Sequence, residues 1–358
     1  MKTLRSKFPV LLIFLCVVLQ GYSQDNNYLN SKYDFIPGEK VVFYDDFSSE
    51  SIGDFPAQWL TNGSGEVVTS GQFEGKWFQI TKTGYFIPEA KEDFTDNFTV
   101  EFDIIPISQD VSSPINGILF MFLSDELNNP GYGSQPGKAG LIFTPGYDVT
   151  FWRNYSEERE WQGDEGSAGI KFNANEKYRI SFWVQKLRVR MYVNENKVFD
   201  LPRGLQANYK YNVFRMESFS EEATPLISNF RIATGMPDMR NKLLTDGKYT
   251  SYGILFDVNS DKIKPESYAS VREIATILKE NPTIRIQIIG HTDSDGDDAS
   301  NLALSKKRSE SVKQMLVGSF GIDASRMETD GKGETVPVAP NDSGVNKAKN
   351  RRVEFVKL

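Results

Sequence analysis

Two side chains of opposite charge, Asp293 and Arg308, have the chemistry needed to hold a small zwitterion. A carboxylate accepts hydrogen bonds from an ammonium group, and a guanidinium group binds a carboxylate through two parallel hydrogen bonds. Side by side, the two residues could therefore hold an amino acid by both of its charged ends. Their spacing alone also allows a structural ion pair, which is a common feature near helix ends.

The elements around these residues predict that both lie at one edge of a sheet. Residues 283–289 have the pattern of a strand, so Asp293 follows the C-terminal end of that strand. Ser305 is a favourable N-cap, which predicts a helix over residues 305–316 with Arg308 in its first turn. In an α/β layout, ligands usually bind at this edge, next to a helix N-terminus.

Strand and helix patterns alternate through the rest of this part of the chain. Residues 253–256 predict a strand, Pro265 begins a helix with one apolar face, and residues 351–357 predict a last strand. We therefore expect a separate α/β domain over residues 251–358. The polar residues 236–250 before it are predicted to be a linker.

This domain resembles the OmpA-like C-terminal domain, whose family includes peptidoglycan-associated lipoproteins and flagellar motor stator proteins. The resemblance rests on residues 290–308, on the Gly-Lys-Gly at 331–333 and on the Asn-Arg-Arg-Val-Glu at 350–354. It implies a βαβαβ fold with a mixed sheet. It also implies non-covalent binding of peptidoglycan, through the diaminopimelate side chain of uncrosslinked stem peptides.

The resemblance assigns roles to single residues. Asp293 and Arg308 match the two binding charges, and Leu304 matches a pocket-lining leucine. Phe256 and Asp257 match a loop that contacts the ligand mainly through its backbone. Three further candidates are Thr292 beside the aspartate, Asn301 as a brace for the loop, and Arg352, which could neutralise a ligand carboxylate or form a surface salt bridge.

The first residues predict export. Three basic residues precede an apolar run at positions 10–19 and a short polar segment, which is the layout of a signal peptide that is cleaved after residue 23. Removing these three charges takes the formal net charge from −7 to −10, which disfavours nucleic acid as a partner. With the resemblance, we expect a location in the periplasm or at the outer membrane of a Gram-negative bacterium; the oligomeric state stays open.

Metal and catalytic chemistry are not expected. Cys16 lies in the predicted leader and His291 is the one histidine, so we predict no transition-metal site and no cofactor. His291 has no nucleophile at a recognisable spacing and is predicted to be structural. The acidic run 293–298 begins like a calcium loop but has Asp298 where that loop requires glycine and Leu304 where it requires glutamate.

Residues 41–235, after a polar lead-in at 24–40, have an all-β pattern. Apolar and polar residues alternate at 98–104 and 187–193, which predicts strands with one buried face in a sandwich or barrel. Residues 45–47 with 56–59, 97–103, 193–200 and 227–233 resemble concanavalin A-like or laminin-G-like jelly rolls. Some proteins of this fold are glycosidases with a Glu-x-Asp-x-x-Glu strand. Glu101 and Asp103 fit its first two positions, but Pro106 occupies the third.

The sequence therefore predicts a multidomain, non-enzymatic protein in which an all-β jelly-roll sandwich precedes a peptidoglycan-binding α/β domain. The sandwich could bind a polysaccharide or an envelope protein. Trp152 and Trp161 could stack on sugars, although clustered tryptophans more often belong to a core. The alternatives are a glycan-degrading hydrolase with a wall-targeting module, or an outer-membrane barrel. The continuous apolar run at 117–123 argues against the barrel.

Overall fold

Aromatic and β-branched residues alternate with polar residues through much of the N-terminal half, a pattern that suits half-buried strands. The computed structural model describes residues 33–107, 115, 117–126 and 134–358. The predicted leader at 1–23, with Cys16, lies outside the described residues, as does most of the predicted lead-in. Within the described residues, no helix has the length and apolar character needed to cross a membrane.

The N-terminal half is built from strands. Those in the described residues are β1 (Lys40–Asp45), β2 (Trp59–Thr61), β3 (Ser64–Thr69), β4 (Lys76–Lys82), β5 (Gly84–Pro88), β6 (Asn97–Ile105), β7 (Ile118–Ser124), β8 (Ala139–Pro145), β9 (Val149–Ser156), β10 (Glu165–Gly169), β11 (Tyr178–Gln185), β12 (Arg188–Val193), β13 (Asn196–Leu201), β14 (Val213–Ser218) and β15 (Leu226–Thr234). One antiparallel sheet has the order β13-β12-β11-β6-β15-β4-β3, with β1 also paired to β15. The second has the order β10-β9-β8-β7-β14-β5-β2.

The two sheets share a core that is rich in phenylalanine. The Phe102 ring of β6 lies 5.1 Å from the Phe120 ring of β7 and 5.3 Å from the Phe230 ring of β15, measured between centroids. All three side chains are buried, so the sheets pack face to face as the sequence predicts for a sandwich. Strand β6 differs from its prediction because its polar face, with Glu101 and Asp103, is buried as well.

The C-terminal part contains α1 (Met239–Leu244), β16 (Lys248–Ser251), α2 (Tyr268–Glu280), β17 (Ile286–Gly290), α3 (Asp298–Gly318), β18 (Met327–Gly331), α4 (Gly344–Asn350) and β19 (Val353–Lys357). Its sheet has the order β16-β19-β17-β18. Strands β17 and β18 are parallel, whereas β19 is antiparallel to both β16 and β17. This is the mixed α/β sheet that the sequence predicts.

The stretch predicted as a linker, residues 236–250, contains the helix α1 and most of the strand β16. Met239 and Leu243 of α1 are buried in the C-terminal core, and Asp238 caps the helix by accepting a hydrogen bond from the Asn241 amide. The strand predicted at 253–256 is instead a loop, with a single bridge between Phe256 and Ile263. Six helical residues are too few to show a period, which is why the sequence pattern looked irregular there.

The sandwich and the C-terminal part contact each other and belong to one compact unit of the described residues. Tyr33 and Phe35, in the predicted polar lead-in, are buried in a cluster with Tyr192 of β12 and Ala269 of α2. Arg272 of α2 donates a hydrogen bond to the Tyr33 carbonyl oxygen at 2.9 Å. Helix α4 packs against the sandwich strand β1. The two parts are therefore held together by apolar and polar contacts.

Candidate functional site

A loop at the C-terminal end of β17 carries Asp293. The Thr292 amide donates a hydrogen bond to the Gly333 carbonyl oxygen at 3.0 Å. The Asn301 side-chain amide donates to the carbonyl oxygens of Asp293 and Asp295, at 3.3 and 3.0 Å. These bonds fix the backbone on both sides of Asp293, and its side chain is only 11% exposed.

Helix α3 begins seven residues before the predicted start. Asp297 is its N-cap and accepts a hydrogen bond from the Ser300 amide at 3.0 Å. The prediction that Ser305 caps the helix is wrong. Ser305 is fully buried in mid-helix, where its hydroxyl donates to the Leu302 carbonyl oxygen and accepts from the Gly333 amide. Arg308 consequently lies well inside α3 instead of in its first turn.

Glycines at two strand ends let α3 approach the sheet. A Cβ atom on Gly290 would lie 2.2 Å from the Ser305 carbonyl oxygen, and one on Gly331 would lie 2.4 Å from the Lys306 amide nitrogen. Since real Cβ atoms do not come this close to backbone, these positions require glycine. The close packing brings the middle of α3 beside the Asp293 loop.

Three candidate residues share one face of α3 because they are three or four residues apart: Asn301, Leu304 and Arg308. Leu304 is half-buried. The Arg308 Nε donates to the Ser260 carbonyl oxygen at 2.9 Å, and its guanidinium lies 4.9 Å from the centre of the Phe256 ring. Phe256 therefore contacts Arg308 through its side chain.

No carboxylate in the described part of the chain lies within salt-bridge distance (4.0 Å) of Arg308. Burial lowers the pKa of Arg308 to about 10, although the nearby Asp293 and Asp261 carboxylates favour its charged form. A half-buried guanidinium that forms no salt bridge is costly to the fold. The site thus holds a cation that an incoming carboxylate would neutralise.

The partner of Asp293 is Arg351, which the sequence analysis did not select. The Arg351 Nη1 lies 2.6 Å from the Asp293 Oδ2, while the Asp293 Oδ1 accepts a hydrogen bond from the Asp295 amide at 3.2 Å. Arg351 follows α4 and precedes β19, so the alternation expected of a strand at 351–357 does not apply to it. Its proximity to Asp293 depends on tertiary structure and leaves no signal in the sequence.

Arg352, the arginine that was selected, lies away from the site. Its side chain is 1% exposed and bonds to Glu354 at 3.0 Å and to the Val336 carbonyl oxygen at 3.0 Å. Burial would raise the pKa of Glu354, but its contacts with His291, Lys248 and Arg352 lower it overall. Arg352 and His291 are therefore both buried next to the Glu354 carboxylate.

The remaining candidates of this domain differ in exposure. Asp257 is partly exposed and pairs with Lys262 at 3.3 Å. Thr292 is buried, and within the described residues its hydroxyl has no hydrogen-bond partner.

The candidate acids and aromatic residues of the sandwich occupy different environments. Arg179 pairs with Glu101 and with Asp103 at 3.1 Å each, and Arg231 pairs with Glu101 at 2.7 Å. Both carboxylates are thus buried and neutralised. Trp152 packs partly against the sandwich core, whereas Trp161 is 40% exposed.

The sequence profile of the OmpA family matches residues 255–351. Outer membrane porin F of Pseudomonas aeruginosa is 40% identical over 101 residues, which cover 28% of this chain and 29% of that protein. The probable lipoprotein YiaD of Escherichia coli is 41% identical over 102 residues, which cover 28% of this chain and 46% of that protein. The chain thus spans less than half the length of these relatives. The crystal structure of the peptidoglycan-associated lipoprotein from Burkholderia pseudomallei is 30% identical, with a TM-score of 0.29; the match covers 34% of this chain and 98% of that one.

Proposed function

Since its residues 255–351 form an OmpA family domain, we propose that this chain is a non-enzymatic envelope protein that binds peptidoglycan without a covalent bond. The bound group is the free end of a diaminopimelate side chain in an uncrosslinked stem peptide. The observation that carries this proposal is Arg308, a guanidinium on the face of α3 beside Asp293 with no carboxylate of its own in the described residues.

The geometry suits a ligand end that carries both an ammonium and a carboxylate. The Arg308 Nε is occupied by Ser260, so its two Nη groups are available to a carboxylate. The Asp293 Oδ1 accepts one hydrogen bond, from the Asp295 amide, and Arg351 bonds to the other oxygen. A carboxylate oxygen can accept two hydrogen bonds, so Oδ1 can also accept one from a ligand ammonium. Arg351 adds a second positive charge, so the three side chains together favour a ligand with more negative than positive groups.

An envelope location is supported by the predicted leader and by outer membrane porin F among the relatives. The hydrolase alternative lacks support because Glu101 and Asp103 are both held by arginines. Neither acid is available as the nucleophile or the proton donor that glycoside hydrolysis needs. The sandwich, with the proposed jelly-roll fold, then serves as a second binding domain. Trp161 is the side chain that it offers to a polysaccharide or an envelope protein.

Co-sedimentation of the full chain with purified sacculi tests the proposal. The full chain is needed because α1 and β16 belong to the C-terminal core and a fragment starting at residue 250 would lose them. We expect Asp293→Ala and Arg308→Ala to lose most of the bound fraction. Lys307→Ala, which removes an exposed charge from the same helix, should pellet like the wild type. Equal sedimentation of all four proteins would exclude this site.

A further inference from the structure

The sandwich reaches the site through Tyr44, a residue of β1 that lies outside the OmpA family match. The Arg351 guanidinium lies 4.8 Å from the centre of the Tyr44 ring, within the range of a cation–π contact. On its other side, Arg351 bonds to Asp293 at 2.6 Å. A single guanidinium thus joins the first domain to the proposed ligand-binding carboxylate.

Helix α4 strengthens this connection. Its first residue, Gly344, packs directly on Tyr44, and a Cβ atom there would lie 3.0 Å from the Tyr44 carbonyl oxygen. Lys347, one turn later, bonds to Asp295 in the Asp293 loop at 2.7 Å. The same short helix therefore contacts the sandwich on one side and the binding loop on the other.

Tyr44 is attached to the sandwich through its strand and its hydroxyl group. Its hydroxyl lies 3.3 Å from the Asp46 carboxylate and 3.5 Å from the Asn229 side chain, and β1 pairs with β15 along its length. Burial opposes the charge on Arg351, but Tyr44, Asp293 and Asp46 together keep its pKa above the ordinary value. Arg351 is thus a permanent cation between two fixed partners.

We propose that Tyr44 is a positioning residue for peptidoglycan binding: it holds Arg351 in place, and Arg351 orients the Asp293 carboxylate toward the ligand ammonium. A carboxylate that is already oriented loses less conformational freedom on binding, which raises affinity. The sandwich is therefore part of the binding site as well as a second domain. This inference rests on the proposed function, and it concerns a residue that the family domain does not contain.

Binding of the full chain to the tripeptide L-alanyl-γ-D-glutamyl-meso-diaminopimelate, measured by calorimetry, tests the inference. Tyr44→Leu removes the ring and should weaken binding about tenfold. Tyr44→Phe keeps the ring and should bind as the wild type does. Arg351→Gln should also weaken binding, and adding Tyr44→Leu to it should cause no further loss, because both changes break the same connection.

The outcomes distinguish a failure of the inference about Tyr44 from a failure of the proposed peptidoglycan-binding function. If Arg308→Ala binds as well as the wild type, the proposed site itself is wrong. If Arg308→Ala loses binding while Tyr44→Leu binds as tightly as the wild type or more tightly, only the role of Tyr44 is overturned. Losses that multiply in the double variant would overturn it too. Should Tyr44→Leu lack the wild-type tryptophan fluorescence, Gly344→Leu takes its place: it puts a bulky side chain between α4 and Tyr44, displaces Tyr44 from Arg351 and is judged by the same outcomes.

Discussion

At the scale of single residues, the Arg308 guanidinium contacts the Phe256 ring and the Ser260 carbonyl oxygen but forms no salt bridge in the described residues. Burial that lowers its pKa to about 10 also makes the unliganded site less stable. Binding groups that destabilise the free protein are a known cost of function. Arg308 has the properties of such a group.

Replacing Arg308 with methionine should separate stability from binding. The variant keeps most of the length and the apolar part of the side chain but removes the positive charge, which forms no salt bridge in the described residues. We expect the free energy of unfolding to rise by about 1 kcal/mol while sacculus binding is lost. Urea denaturation followed by circular dichroism at 222 nm measures the first effect, because all helices of the described residues other than short 3-10 turns belong to the C-terminal part. A destabilised variant would show that Arg308 is mainly structural.

Glu354 should make the C-terminal part sensitive to acid. Its pKa is lowered in the folded state, so its stabilising contribution is present above the ordinary value of 4.5 and disappears as the pH falls below it. Glu354→Gln leaves Arg352 buried without a counter-charge and should cost about 3 kcal/mol at pH 7. The difference between variant and wild type should shrink as the pH is lowered from 5 to 3. A difference that does not change with pH would contradict this role.

The sequence predicts the two key binding residues, but it does not predict which residues they contact. Asp293 and Arg308 stand out because the residues around them match a known family pattern. The ion-pair partner of Asp293 does not, because Arg351 lies 58 residues away in the sequence and reaches Asp293 only through the tertiary structure. The choice of Arg352 followed from an assumed strand that in fact begins at Val353.

At the scale of elements, α3 and the ends of β17 and β18 form the frame of the site. The start of α3 differs from the predicted one because Asp297 and Asp298 lie in the acidic run 293–298, whose sequence resembles the beginning of a calcium loop more than the beginning of a helix. Asp297 is instead the N-cap of α3, and the negative charge of Asp298 in the first turn is stabilised by the positive end of the helix dipole. Ser305, further along α3, has a residue type that is common at N-caps, but it is buried and its hydroxyl accepts a hydrogen bond from the Gly333 amide.

Two glycine-to-alanine changes should have opposite effects. Gly290→Ala places a methyl group against the Ser305 backbone of α3, so we expect a loss of about 2 kcal/mol in stability and weaker sacculus binding. Gly318→Ala, at the end of the same helix, meets open space and should gain about 0.5 kcal/mol. Thermal unfolding at 222 nm compares them. Equal binding by Gly290→Ala and the wild type would show that the spacing between α3 and β17 does not set the site.

At the scale of the whole molecule, the two-domain organisation was predictable, but the contact between the domains was not. Alternating strands indicated the sandwich, and alternating strands and helices indicated the second domain. Nothing in the polar residues around Tyr33 and Phe35 indicated that these two rings would be buried between the domains. The pattern of residues 236–250 predicts a linker because the short helix and the polar edge strand found there have no visible period.

This contact predicts that the two parts unfold together. The five tryptophans, at positions 59, 77, 152, 161 and 183, are all in the sandwich, whereas the α-helices of the described residues are all in the C-terminal part. Tryptophan fluorescence and circular dichroism at 222 nm should therefore give the same melting temperature. A diaminopimelate-containing peptide at 100 times its dissociation constant should raise both, through about 2.7 kcal/mol of added stability. Two separate transitions, with only the dichroism shifted, would contradict the coupling.

Calorimetric titration of the full chain with two stem tripeptides, one ending in meso-diaminopimelate and the other in L-lysine, tests the central claim most directly. Both peptides offer an ammonium to Asp293, but the lysine peptide lacks the side-chain carboxylate that Arg308 would bind. Losing a charged hydrogen-bonded partner at a half-buried site costs about 3 kcal/mol, so we expect the lysine peptide to bind about 100-fold more weakly. In Arg308→Ala this preference should disappear. Equal affinity of the wild-type chain for the two peptides would contradict the proposed site.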